Sequence, residues 1–347
     1  MADNPEASDT ASASGDSSKS EASDLADTVI GKAKRRREYF ENHDGEFEGW
    51  STGFKGLDDI TGGIPREGLY LLSGGPGVGK TTLAGHIAAS VARKIPVIYL
   101  TYENNPISLV EKILCANAPG GAQSDGFKID ALRRGLKSEE SIKELEERAE
   151  NKDFLKRLRV AGPNSIDGRW SIRRLREEVR DIVSKNPEAE GIDDDYSRPE
   201  CLVVIDYLQH WAKRNPEGDE LPLRERIEYL AGSLSVLNSF PEGSQKSNGE
   251  ERPRTAVLAI ASQNRHHGYG QPDRGSSGEF RSSLSSLKES GDLEYIADVV
   301  MFLVRDGELT GSDDVRDVTL EVVKNRHGKL GTVDFTFRGD TAQFWPR

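Results

Sequence analysis

From Trp50 onward, short apolar runs alternate with stretches of helical spacing. Leu69-Tyr70-Leu71-Leu72, Val97-Ile98-Tyr99-Leu100, Leu202-Val203-Val204-Ile205, Ala256 to Ala261 and Val299 to Val304 are compact apolar runs. Such runs are what a parallel strand covered on both faces requires. Phe154 to Val160 reads as one more strand. Val318 to Val323 and Thr332 to Phe337 alternate apolar with polar residues and predict a terminal antiparallel pair. Leu83, Ile87 and Val91 stand at helical spacing within Thr82 to Arg93, and helices also fit 106–117, 138–150, 170–185 and 223–238. Strands alternating with helices predict an α/β domain: a mainly parallel twisted sheet flanked by helices, with antiparallel strands at its C-terminal end. The polar, Gly-, Pro- and Ser-rich stretches 186–199, 241–254 and 264–287 predict long loops, a length that in a compact domain points to function or disorder.

The first part of the chain has a different pattern. Residues 1–24 are mostly Ser, Ala, Asp and Glu, too poor in large apolar side chains to offset the entropy of ordering, and predict a disordered acidic tail. Residues 25–42 carry Leu25, Val29, Ile30, Tyr39 and Phe40 among charges and predict a helix. Its basic cluster, Lys32, Lys34, Arg35, Arg36 and Arg37, fits a solvated helix face best, with a partner-docking or DNA-touching arm as the alternative.

Composition narrows the class. With 347 residues, 35% hydrophobic and 31% charged, the chain has room for one large domain with extensions. The net charge of −12 argues against a surface that coats nucleic acid generally, while leaving room for a local basic groove. Cys115 and Cys201 sit in apolar runs and predict small core residues rather than a disulfide framework. There is no secretory pattern and no run of transmembrane length, so a cytoplasmic protein without membrane contact is expected.

The candidate chemistry centres on Gly74-Gly75-Pro76-Gly77-Val78-Gly79-Lys80-Thr81, which fits G-x-x-x-x-G-K-[ST] between a predicted strand and a predicted helix. Glycines let successive backbone N–H groups curl around phosphate oxygens at a helix start, where anions are favoured. Lys80 is then placed to reach the β- and γ-phosphates of ATP or GTP, and Thr81 to place its hydroxyl on Mg²⁺; Thr82 completes the cradle. Hydrolysis also needs a carboxylate for the metal shell and a group acting on the attacking water. Asp206 follows the strand ending at Ile205, at the edge where open α/β sheets bind ligands, and is assigned to Mg²⁺. Glu103 follows the strand Val97 to Thr101 at the same edge. It is the candidate for polarising the water, or else a surface carboxylate at a strand end.

Beyond these residues the chain resembles a family. Ser51-Thr52-Gly53-Phe54, Leu57-Asp58, Thr61-Gly62-Gly63, Tyr102-Glu103, Asp206-Tyr207-Leu208-Gln209 and Ser262-Gln263-Asn264-Arg265 occur in order. Lys288-Glu289-Ser290-Gly291, Ala297-Asp298 and Lys324-Asn325-Arg326-His327-Gly328 complete the series. Together, over about residues 51–338, they resemble the ATPase domain of DnaB-type replicative helicases. The resemblance implies a RecA-like P-loop NTPase core over 51–347, preceded by a linker helix and lead-in segment over 25–50. The family's helical N-terminal domain has no counterpart in the segment before the core. It further implies a homo-oligomeric ring, usually a hexamer, that couples ATP hydrolysis to movement along single-stranded DNA, with a loader or primase as further partners. By resemblance, Glu103 is the catalytic glutamate, Gln263 the polar switch that senses the γ-phosphate, and Lys324 and Arg326 the basic pair delivered to a neighbour's ATP, Arg326 being the arginine finger. A RecA-like recombinase or clock-type ATPase acting without unwinding is the alternative.

Single-strand binders track phosphates with cations and stack bases on aromatic rings. Two segments offer this: 211–224, with Lys213, Arg214 and Arg224, and 264–288, with Arg265, His266, His267, Tyr269, Arg274, Arg281 and Lys288. The second is basic within an acidic protein, and Arg265, Arg274, Arg281 and Lys288 are its DNA-binding candidates.

Overall fold

The computed structural model describes residues 49–65, 67–116, 127–135, 154–163, 170–186, 200–237, 253–262, 293–305, 315–326 and 328–347, with scattered positions between 29 and 37 and between 139 and 146. The chain forms two compact units, Met1–Glu46 and Phe47–Arg347. In the first, Val29, Ile30, Gly31, Ala33, Lys34 and Arg37 are helical, inside the stretch read as a helix. The acidic tail and Lys32, Arg35 and Arg36 lie outside the described residues, as do the long polar stretches from 187, 238 and 263 onward.

The second unit is built on one sheet. Its strands are β1 (Gly68–Gly74), β2 (Val97–Thr101), β3 (Leu158–Ala161), β4 (Glu200–Asp206), β5 (Arg254–Ile260), β6 (Val299–Arg305), β7 (Val315–Asn325), β8 (Gly331–Arg338) and β9 (Gln343–Pro346). The described strands lie in the order β3-β2-β4-β5-β1-β6-β7-β8-β9. The first six in that order run parallel, and β7, β8 and β9 follow antiparallel. This is the mainly parallel sheet with an antiparallel C-terminal end that the apolar runs predict.

Burial on both faces explains those runs. Tyr70 and Leu72 of β1 and Leu202 and Val204 of β4 point into one core, with Leu83 and Ile87 of α2 (Lys80–Val91) and Leu109 and Ile113 of α3 (Pro106–Ala116). Leu57 of α1 (Lys55–Thr61) and Phe335, Phe337 and Phe344 of the antiparallel strands join that core. Leu69 and Leu71, with Val203 and Ile205, point into the other. They meet α6 (Ile172–Ser184), α7 (Leu208–Arg214), α8 (Leu223–Ser235) and α9 (Leu293–Ile296). The short helices α4 (Ile129–Arg134) and α5 (Phe154–Arg157) also form, and residues 139, 140, 142, 143 and 146 are helical. Helix α6 forms because Ile172, Leu175, Val179, Ile182 and Val183 make one apolar face, and because Ser171 accepts the Arg174 N–H as an N-cap at 3.1 Å.

Some expectations change. Phe154 to Val160 is not one strand: Phe154–Arg157 is a helical turn and only Leu158–Ala161 pairs with β2. The Phe154 ring is buried in the first core. Within 211–224, residues 211–214 end helix α7 and 223–224 begin α8, with a turn between them. Trp211 and Ala212, with Leu208, make an i, i+3, i+4 set that buries α7, and the Trp211 indole donates to the Trp170 carbonyl at 2.7 Å. Lys213 and Arg214 therefore belong to a helix end, and Arg224, in the first turn of α8, pairs with Glu228 at 3.3 Å. Helices α1 and α7, strand β9 and a bridge between Trp50 and Ile64 add to the predicted elements.

The motif Ser51-Thr52-Gly53-Phe54 with Asp58 has a structural task. Buried Asp58 accepts from the Ser51 hydroxyl at 2.7 Å, the Thr52 N–H at 2.9 Å and the Thr52 hydroxyl at 2.6 Å, closing the chain onto α1. Asp58→Ala strands these donors in the interior and is expected to cost about 1.5–3 kcal/mol, the range for hydrogen bonds to a charged group. A melting temperature equal to that of the parent protein would contradict this.

Candidate active site

Strand β1 delivers the glycine-rich loop to the C-terminal edge of the parallel strands, at the strand whose neighbours β5 and β6 lie to either side. Gly74, Gly77 and Gly79 have φ of 148°, 74° and 105°, backbone states that side chains disfavour. Space is equally restrictive: a Cβ on Gly79 would stand 2.8 Å from Phe344 Cζ, and one on Gly74 2.3 Å from the Leu303 carbonyl oxygen. The loop thus lies directly on the antiparallel strands, and helix α2 begins at Lys80.

Lys80 is buried, and its Nζ donates to the Gly74 carbonyl at 2.9 Å and the Gly75 carbonyl at 2.7 Å. The Tyr207 ring centroid lies 5.5 Å from the ammonium. Burial pushes the lysine pKa down to about 8, against the pull of Glu103 and Asp206. Val78, Thr81 and Thr82 are buried beside it.

Asp206 ends β4 in register with Thr101 of β2 and Ile260 of β5. Its carboxyl is fully buried, and Oδ2 accepts the Tyr99 hydroxyl at 3.1 Å. Oδ1 accepts no hydrogen bond among the described residues. Burial raises its pKa to about 6, with Glu103 adding, while the hydroxyls of Thr81 and Tyr99 and the charge of Lys112 pull it down. A buried, under-coordinated carboxylate oxygen beside a threonine hydroxyl suits the hydrated shell of Mg²⁺. That ion takes one or two carboxylates and completes its shell with water and phosphate oxygens. Among the described residues there is no group of three or more His, Cys, Asp or Glu that could hold a metal ion.

Glu103 is exposed, one residue past the Tyr102 N–H that bonds to the Asp206 carbonyl. The turn that carries it is closed by Thr101, whose hydroxyl donates to the Asn104 carbonyl at 3.0 Å and accepts the Asn104 N–H at 3.2 Å. Its charge acts on Lys80, Asp206 and Tyr207 alike. Gln263, Arg265, Arg274, Arg281 and Lys288 lie outside the described residues, as do His266 and His267. The strand leading to Gln263 is anchored just before it. The Gln209 amide accepts the Ser262 N–H at 3.2 Å and donates to the Ser262 carbonyl at 3.4 Å.

Lys324 and Arg326 lie at the other edge of the sheet. Val299, at the start of β6, pairs with Asn325, while Leu303 further along β6 pairs with Gly74 at the loop end of β1. At about 3.3 Å per residue, the offset from Val299 to Leu303 puts the pair roughly 13 Å along the strand direction from the loop end of β1 in the same chain. Lys324 Nζ donates to the carbonyls of Glu294, Tyr295 and Ala297 at 2.5, 3.2 and 2.7 Å, and burial lowers its pKa. Arg326 Nη1 meets Asp298 Oδ1 at 2.9 Å.

Tyr99 and Thr101 escape a reading by motif, and Tyr207 and Gln209 stand in a quoted motif without an assigned role. The signal available was a polar tip inside an apolar run, as in Tyr99, because a buried hydroxyl needs a partner.

The pKa of Asp206 makes a prediction for the nucleotide-free protein. With a folded pKa of about 6 against 3.8, the native state binds the proton more tightly. That stabilisation is complete below 3.8 and lost as pH rises through about 6. Asp206→Asn removes the titration, so its melting temperature is expected to rise relative to the parent from pH 4 to pH 7, even as magnesium-dependent nucleotide binding is lost. Parallel melting curves across that range would contradict the assignment.

Known proteins match this arrangement. Residues 49–237 and 257–345 match the family described as DnaB-like helicase C terminal domain. Replicative DNA helicase DnaB of Geobacillus stearothermophilus is 28% identical over 316 residues, covering 86% of this chain and 57% of the relative. Replicative DNA helicase DnaC of Bacillus subtilis is 27% identical over 313 residues, with 86% and 57% covered. The chain thus spans a little over half the length of these curated relatives. Among solved structures, one described as an ATPase domain superposes with a TM-score of 0.67 at 23% identity, over 91% of this chain and 98% of that one. A DnaB-like replicative helicase studied for its interactions with primase gives 0.66 at 22% identity, over 90% and 66%. These likenesses show the RecA-like fold. The family match embraces most of the chain, including the glycine-rich loop, Glu103, Asp206 and Arg326, and this protein belongs to the DnaB-like helicase C-terminal domain family.

Proposed function

We propose that this chain is the motor of a ring-forming DNA helicase or translocase, hydrolysing Mg-ATP to move single-stranded DNA. One observation carries the reading: Lys80, Thr81, Asp206 and Glu103 converge on one edge of the sheet while Arg326 stands at the opposite edge. A cation there serves hydrolysis only when it acts on the nucleotide of a second copy, so activity follows from assembly.

In the mechanism, the backbone N–H groups of the loop and Lys80 bind the phosphates, and Tyr207 packs beside the ammonium. Thr81 and Asp206 would hold the magnesium shell, and the ion, when bound, supplies positive charge against the phosphate oxygens. Glu103 orients and deprotonates the attacking water from the exposed turn that Thr101 closes. Arg326 of a neighbouring copy neutralises charge developing on the transferred phosphoryl group. Gln263 is read as the residue that reports the γ-phosphate, and Arg265, Arg274, Arg281 and Lys288 as the contacts to DNA.

Lys80→Ala is expected to abolish hydrolysis and most nucleotide binding. Glu103→Gln should bind ATP normally and turn over roughly 10² slower or worse, the scale of a lost base. Parent-like turnover in Glu103→Gln would remove Glu103 from the mechanism. On a forked duplex the protein should displace a strand only with hydrolysable ATP and magnesium. ATP hydrolysis without displacement would favour a ring ATPase that acts on its partner without unwinding.

A further inference from the structure

Asp298 has no place in the cradle, yet it is among the most heavily engaged carboxylates at the far edge of the sheet. Its N–H donates to the Leu69 carbonyl at 2.9 Å, and its Oδ2 accepts the Leu69 N–H at 3.0 Å. A Cβ on Gly68 would stand 2.4 Å from Oδ2, so this close approach to β1 requires a glycine there. The other oxygen, Oδ1, accepts from Arg326 Nη1 at 2.9 Å, and the Asp298 carbonyl accepts the Arg326 N–H at 2.9 Å. Arg326 Nη2 donates to the Tyr295 carbonyl at 2.9 Å. That carbonyl belongs to the end of α9, which the Lys324 ammonium braces through Glu294, Tyr295 and Ala297.

A guanidinium presents its N–H donors in a rigid planar fork. Here one donor on each terminal nitrogen is anchored within the chain, and the remaining ones make no hydrogen bond among the described residues. The side chain is 49% exposed. An arginine gripped along one side of its fork and open along the other is oriented for an anion that approaches from outside.

We propose that Asp298 is the positioning residue of Arg326: fixed on β1, it aims the free donors of the guanidinium at a phosphoryl group held in the cradle of a second copy. Lys324 supports the same mount, its donors spent on α9. The inference rests on the reading of Arg326 as acting in trans. It adds a physical link, because the strand that anchors the mount at one end carries the phosphate cradle at the other.

Mixing experiments separate the possibilities. Asp298→Ala should lower kcat by roughly 10- to 100-fold, the scale of a misaimed group, with KM for ATP and binding of a fluorescent ATP analogue near parental values. Mixed with Lys80→Ala it should regain activity, since its intact cradle meets an intact arginine. Mixed with Arg326→Ala it should not. The reverse pattern would place the defect in the cradle and overturn the proposal, as would an undiminished kcat. Should Asp298→Ala fail to bind the analogue, Asp298→Asn, which keeps an acceptor and loses the ion pair, must show a smaller kcat loss in the same complementation group. The control pair Arg326→Ala with Lys80→Ala decides the underlying reading. No regain there removes the trans arginine and the mount together, whereas regain there with Asp298 in the wrong group overturns the mount alone.

Discussion

The pairing of β1 between β5 and β6 is the constraint on which the rest of the site depends. Leu71 pairs with Ala259 on one side and Leu72 with Met301 on the other, and both leucines are fully buried. A strand locked this way cannot slip, since a shift of one residue would exchange its two apolar faces and disturb both cores at once. Its C-terminal end therefore presents the glycine loop at a fixed height beside Ile260 and Asp206. Its N-terminal end presents Leu69 to Asp298. The distance between a phosphate cradle and an arginine mount is thus set by the length of one strand.

The chemistry of the cradle follows from how dry it is. Lys80 and Asp206 are both withdrawn from water, and burial moves their pKa values in opposite senses, each away from its charged form. Both are costly to keep ionised at neutral pH. On the proposed function, phosphate oxygens for the lysine and a hydrated cation for the carboxylate would be the partners that offset that cost. The tyrosines complete the arrangement, Tyr99 bonding the carboxylate and Tyr207 lying against the ammonium. Stability is given up locally at a site that regains it through ligand binding, a recurrent relation between stability and function.

The two ends of the sheet handle charge differently. At the cradle, Lys80 and Asp206 are buried, and Asp206 Oδ1 has no hydrogen-bond partner among the described residues. At the far edge, Asp298, Lys324 and Arg326 are partly exposed and well supplied with partners. The first suits capture of a ligand, and the second suits rigid presentation to a neighbour, because a held side chain loses less freedom when it binds.

Much was legible in the sequence. The parallel strands were readable because a strand buried on both faces must be apolar throughout, and Leu202 to Ile205 has no other use. The loop was readable because phosphate binding needs glycines at set positions followed by Lys80 and Thr81. Local pattern failed at short elements: Phe154–Arg157, read as part of a strand, is a helical turn, and the helix α7 with its buried Trp211 is not among the predicted elements. It also could not show that Asp58 and Asp298, both within family motifs, serve as structural acceptors, since their partners Thr52 and Leu69 become partners only once the chain is folded. The sequence by itself determined the fold class and the place of the glycine-rich loop between β1 and α2, because these rest on local spacing and on burial. Only the tertiary structure decided that Arg326 faces away from Lys80 of its own chain, because opposite edges of a sheet are a property of strand direction and register, which no short stretch of sequence contains.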